Sequence, residues 1–130
     1  MTIKDVCQKY NISADTLRYY ERVGVIPEVH RTPGGIRDYN EEDLGWVQNA
    51  ICFREAGVQV ETLIEYVRLF QKGNETLEAR RDLLKDAREE ILEARKKYDT
   101  ALEKLNYKIS KYEEAVKTGE LHWDSKNRPK

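Results

Sequence analysis

Arg18, Tyr19 and Arg22 have the types and spacing to grip a polyanion. With Asp15 they recur at i, i+3, i+4 and i+7, so one helical face would carry two guanidinium groups and a phenol. An arginine fork fits guanine edges or a phosphate, and a tyrosine hydroxyl commonly donates to phosphate oxygens. The same residues also describe an ordinary solvated face with an Arg–Asp pair. Arg31, Arg37 and Tyr39 follow around a turn, where they would straddle a phosphate backbone beside a groove. Cys52 brings a different chemistry, that of a thiolate open to alkylation or oxidation. No phosphate loop, paired-carboxylate pocket or metal motif accompanies these residues, so neither an enzyme nor a cofactor is expected.

Bulk charge does not point to nucleic acid. The formal net charge is −1, and residues 1–57 carry seven Lys/Arg against nine Asp/Glu, a net of −2. A polyanion-binding surface must therefore come from local clustering. The chain has 130 residues, 36% charged and 39% hydrophobic, which suits one small helical domain plus one extended element. Its apolar runs fall far short of a membrane span, and MTIKDVCQKY lacks a signal-peptide core. A cytoplasmic protein with no membrane partner is expected. Two cysteines, Cys7 and Cys52, without a C-x-x-C suit a reducing compartment.

These side chains need elements to hold them. Thr2, with Asp5 three residues on, makes a capping box for a first helix whose inner face is Ile3, Val6, Cys7 and Tyr10. Asn11-Ile12 is a very short break, and Ser13 caps a second helix ending near Gly24. Two short helices joined so tightly suggest a helix-turn-helix. Thr32-Pro33-Gly34-Gly35, between β-capable stretches, reads as a small hairpin, a wing. Asn40 caps a third helix running to about Gly57, and a fourth runs from about Gln59 to Phe70 and stops at Gly73.

From about Thr76 to Val116 no Gly or Pro interrupts the chain. That implies a helix of roughly 40 residues, about 60 Å long. Leu84, Ile91, Tyr98, Leu105 and Tyr112 are spaced by seven; Ala87, Ala94, Ala101 and Ala115 lie three residues after four of them. Leu102, Ile109 and Val116 widen the stripe. A helix this long cannot bury such a stripe in its own small domain, so a partner helix is expected. The organisation read here is a winged-helix domain over 1–73, a coiled-coil dimerisation helix over 74–117 and a loose polar tail over 118–130. A coiled-coil adapter without DNA binding would fit the charge balance of residues 1–57, but not the arginine-bearing second helix and wing.

The string Thr16-Leu17-Arg18-Tyr19-Tyr20-Glu21, with Gly24 and Pro27, resembles the signature of the MerR family. Arg31, the Gly34-Gly35 turn, Arg37 and Tyr39 follow at that family's spacing. Val25-Ile26 replaces the more usual Leu-led pair after Gly24. The resemblance covers the first ~70 residues strongly, and the long last helix matches the family architecture. It implies a mainly α fold, with a winged helix-turn-helix and a long helix that pairs in an antiparallel coiled coil. It further implies a homodimer that binds double-stranded promoter DNA and distorts it, so that RNA polymerase is served indirectly, through the DNA. The deformation would cost about 1–6 kcal/mol. By position, the DNA-contact candidates are Arg18, Tyr19, Arg22, Arg31, Arg37 and Tyr39.

Family members differ in what they sense. A drug sensor is not expected of a chain that ends soon after its coil. The metal sensors' cysteine positions hold no Cys here, and His122 alone is a poor site. The resemblance extends to a branch that senses aldehydes, nitrosative stress or other electrophiles through a cysteine at the place of Cys52, and a non-thiol effector is the alternative. Cys7 falls on the apolar face of its helix and reads as a core cysteine. Cys52 lies with Gly45, Asn49 and Ala56 in a stripe of mostly small residues, which suits either close helix packing or an accessible thiol. It has no Lys or Arg at i±3 or i±4 to lower its pKa, and Glu55 at i+3 acts the other way.

Overall fold

A computed structural model describes residues 1–124. Five α-helices follow in order: α1 (Ile3–Tyr10), α2 (Ala14–Val23), α3 (Glu41–Glu55), α4 (Val60–Gln71) and α5 (Leu77–Thr118). A single 3-10 turn, Asn74–Thr76, leads into α5. The architecture is mainly α, and no strand is formed among the described residues. The wing is a hairpin reduced to one antiparallel bridge, Arg31 to Arg37.

The helix starts are set by side chains. The Thr2 hydroxyl accepts the Asp5 N–H, and the Asp5 carboxylate accepts the Thr2 N–H. Ser13 accepts the Thr16 N–H at α2. Asn40 and Asp43 form a second capping box at α3. Each satisfies amide donors that a helix start leaves unpaired. The stops are equally local. Asn11 (φ 52°) ends α1 and Gly24 (φ 89°) ends α2, both left-handed. After Gly24, the N–H groups of Val25 and Ile26 also turn back to the Tyr20 carbonyl.

α1 and α2 pack together, and one core unites the first compact unit, Met1–Ile91. Val6, Leu17, Ile26, Tyr39 and Val47 are its largest fully buried side chains. They come from α1, α2, the segment after α2, the end of the wing and α3. α2 and the wing are thus held by one apolar cluster. The opening turns of α5 join this unit. Ile91 packs against the core, and Leu84 lines a cavity of about 150 Å³ with Val25, Trp46, Phe53, Leu63 and Tyr66. The apolar character of Leu84 and Ile91 therefore has a use inside the unit, beside the partner-helix role expected of them.

The second compact unit is Leu92–Lys130. On its part of α5, Leu102, Leu105, Ile109, Tyr112 and Val116 are all more than half exposed. The sequence reading of a loose tail is corrected for Gly119–Asp124. Gly119 (φ 82°) closes α5 by donating to the Ala115 carbonyl. The chain then folds back: the Trp123 ring lies 6.0 Å from that of Tyr107 and 5.9 Å from that of Tyr112, and Lys111 pairs with Asp124 at 3.2 Å. An aromatic side chain found a surface that a count of polar residues does not reveal. The rest of the expected tail, residues 125–130, lies outside the described residues.

Candidate nucleic-acid interface

α2 presents the arginine-bearing face from Arg18 to Arg22 in its last turn. Leu17 and Tyr20 are buried, whereas Tyr19 is 38% exposed. Arg18 pairs with Asp15 at 3.3 Å on the open surface. Exposed pairs of this kind contribute little, so phosphate or a base edge can displace the carboxylate at small cost. The Arg22 guanidinium lies 5.5 Å from the centre of the Tyr19 ring, a cation–π contact that holds both side chains on one face.

The wing is shaped by short-range hydrogen bonds. Thr32 N–H donates to Ile36 O, Gly35 N–H to Thr32 O and Asp38 N–H to His30 O. The Thr32 hydroxyl accepts the Ile36 N–H, and Arg31 Nη1 donates to the Gly35 carbonyl at 2.9 Å. Gly35 has φ 86°, a region where an L side chain is strained. At the base of the wing, the His30 N–H and the Asn40 N–H both donate to the buried Asp43 carboxylate.

The wing and α2 are joined by Glu21, which the sequence marks only as part of the Thr16–Glu21 string. The Glu21 side chain is 8% exposed; its Oε1 accepts from Arg37 Nε at 2.6 Å. Its Oε2 accepts the Val29 N–H at 3.0 Å and lies 3.8 Å from Arg31 Nη2. The available signal was compositional: a carboxylate next to buried Tyr20, with two arginines following in a hairpin.

The structure thus brings Arg18, Tyr19 and Arg22 together on α2, and Arg31 and Arg37 together on the wing beside it. Tyr39 departs from the expectation of a DNA contact. It is 1% exposed, its N–H donates to the Met1 carbonyl, and its hydroxyl has no hydrogen-bond partner among the described residues. Burial holds the Tyr39 phenol above its usual pKa, with Arg37 acting the opposite way. Tyr39 lies beyond the single Arg31–Arg37 bridge and directly before the α3 cap Asn40, where the chain leaves the hairpin and its ring joins the core. Cys52 is exposed on α3, and Cys7 is half-buried against the core. Among the described residues no cluster of His, Cys, Asp or Glu is arranged to hold a metal ion, and His122 lies against Glu120.

Residues 1–69 match the family described as MerR HTH family regulatory protein. The chain belongs to the MerR family of transcriptional regulators. This MerR-family chain is 50% identical over 93 residues to the HTH-type transcriptional regulator AdhR of Bacillus subtilis (strain 168). That match covers 72% of this chain and 66% of AdhR, just under two thirds of its length. A crystal structure ascribed to a MerR family transcriptional regulator from Listeria monocytogenes is similar over 92% of this chain and 90% of that one, with 41% identity and a TM-score of 0.86. HiNmlR, a MerR family regulator lacking the sensor domain, was solved bound to promoter DNA. It is 27% identical, with a TM-score of 0.79 over 91% of this chain and 94% of that one. The relatives are named as regulators, and the MerR family is not enzymatic. No helix among the described residues is long and apolar enough to cross a membrane.

Proposed function

We propose that this regulator works as a homodimer that places its two α2 helices in major grooves of promoter DNA and distorts the duplex. RNA polymerase then responds to the DNA rather than to the protein. Arg18, Tyr19 and Arg22 contact the groove, and Arg31 and Arg37 contact phosphates at its edge. The observation that carries the reading is the run of large apolar side chains left open on α5: Leu102, Leu105, Ile109, Tyr112 and Val116. Burying a Leu, Ile or Val side chain contributes about 1.5–3 kcal/mol, so four such groups in water, with Tyr112 beside them, strongly favour a helix laid against them. Tyr98 extends the same series. The similarity to a DNA-bound regulator supports the contacts of α2 and the wing.

Cys52 is the proposed point of control. It is exposed on α3 with Asn49, beside the C-cap Ala56, and no element of its own chain covers it among the described residues. Adduct formation by an aldehyde or another electrophile would change the size and polarity of that surface and shift the dimer between resting and DNA-distorting states.

Sedimentation and DNA binding of wild type and a Leu105→Glu variant test the dimer. Wild type should sediment as a dimer, and the variant as a monomer with little affinity for a two-half-site duplex. A wild-type monomer that binds DNA with full affinity would sink the reading. Cys52→Ser should bind DNA as wild type does while losing its response to a small aldehyde; a retained response removes Cys52 from control.

A further inference from the structure

Glu21 is an acidic residue set between the arginines of α2 and those of the wing, which is the wrong sign for a group that meets phosphate. It is also the least exposed charged side chain there, at 8%, while Arg37 is 24% and Arg31 45% exposed. Both carboxylate oxygens are occupied. One takes Arg37 Nε at 2.6 Å, and the other takes the backbone N–H of Val29 at 3.0 Å, with Arg31 Nη2 at 3.8 Å.

The choice of donor matters. A guanidinium presents its hydrogens in a planar fork, so anchoring Nε fixes the plane and leaves the end edge, Nη1 and the outer N–H of Nη2, directed away from Glu21. Those two groups of Arg37 make no hydrogen bond to any described residue. Val29, bound to the same carboxylate, lies just ahead of the wing. One α2 side chain therefore sets the aim of the Arg37 fork and the seat of the wing that carries it.

We infer that Glu21 is a positioning residue for DNA binding: through Arg37 it holds the wing's phosphate-binding fork in register with the groove face of α2. The inference rests on the assignment of Arg37 as a phosphate contact. It makes a prediction opposite to simple electrostatics. Removing a negative charge near DNA should tighten binding through the field alone. Loss of positioning should weaken it.

The test uses the full chain and a duplex that the wild-type protein has selected from a random-sequence library. Glu21→Gln, Arg37→Ala and the double variant are titrated from low to high salt, below the melting temperature of each. Glu21→Gln should weaken binding about tenfold, as for a misplaced hydrogen bond to a charged group. It should also reduce the salt slope by about 0.9, the signature of one lost phosphate contact. In the Arg37→Ala background the Glu21 change should add nothing, because both act on one contact. Glu21→Asp keeps the charge but withdraws the carboxylate by one methylene, and should weaken binding as well. This variant serves if Glu21→Gln does not fold.

If Arg37→Ala weakens binding while Glu21→Gln and Glu21→Asp leave it unchanged or tighter, the positioning role is overturned and the Arg37 contact stands. If Arg37→Ala has no effect, the assignment of Arg37 fails and the inference falls with it. Additive effects of the two changes also overturn it. A role confined to folding would lower the melting temperature and leave the salt slope of the folded protein as it was.

Discussion

Replacing Tyr39 with Phe removes one oxygen atom and leaves the ring in place. The ring is fully buried, and the hydroxyl has no partner among the described residues. A buried polar group without a hydrogen bond costs about 1–3 kcal/mol. Tyr39→Phe is therefore expected to stabilise the protein by roughly that amount, since shape is conserved and no hydrogen bond is lost. For a unit of this size each kcal/mol raises Tm by about 4–8 °C. The effect should grow at alkaline pH. Burial raises the phenol's pKa in the folded state, so the unfolded chain releases this proton first. Wild type then loses stability as pH rises above about 10, and the variant loses less. Thermal melts of both proteins from pH 7 to 11 measure this directly. DNA affinity should be unchanged, because the hydroxyl does not reach the surface. A lower Tm in the variant would refute the reasoning and show that the hydroxyl is hydrogen-bonded in solution; a large loss of DNA affinity would return Tyr39 to the interface.

Two further outcomes follow from the backbone and the caps. Gly24→Ala should destabilise by about 1–2 kcal/mol: the added methyl meets nothing closer than Ile64 at 4.0 Å, so the cost is the left-handed φ of 89°, and an unchanged urea midpoint would contradict it. Asp43→Ala strips acceptors from the N–H groups of both Asn40 and His30 at a buried site, and should cost about 2 kcal/mol or more with an unchanged urea m-value.

The parts of the fold that were legible in the sequence are those encoded by neighbours. Thr2 with Asp5, Ser13, and Asn40 with Asp43 act over three residues, so the starts of α1, α2 and α3 could be read directly. Gly24 and the unbroken stretch that became α5 were equally local. The arginines of α2 were visible because helical period alone puts Arg18 and Arg22 on one face. What depended on distant contacts was not legible. Tyr39 looks like a surface phenol until the core of the first unit forms around it. Glu21 meets Arg37 across sixteen residues, a pairing that no periodicity reports. Trp123 reads as part of a polar tail because its partners, Tyr107 and Tyr112, lie on an earlier stretch of helix. Leu84 and Ile91 share the heptad series of Leu105 and Tyr112, yet meet the side chains of the first unit.

The chain has two tryptophans, and they fall in different units. Trp46 sits against Tyr66 and Phe70, and Trp123 against Tyr107 and Tyr112. Each indole is thus a native optical label for one unit, set among tyrosines that can pass excitation to it. With Trp46→Phe the tryptophan emission comes only from Trp123, folded against the end of α5; with Trp123→Phe it comes only from the DNA-binding unit. The pair of single-tryptophan proteins would report, without added dye, whether the unit that reads DNA and the end of the long helix melt together or in sequence.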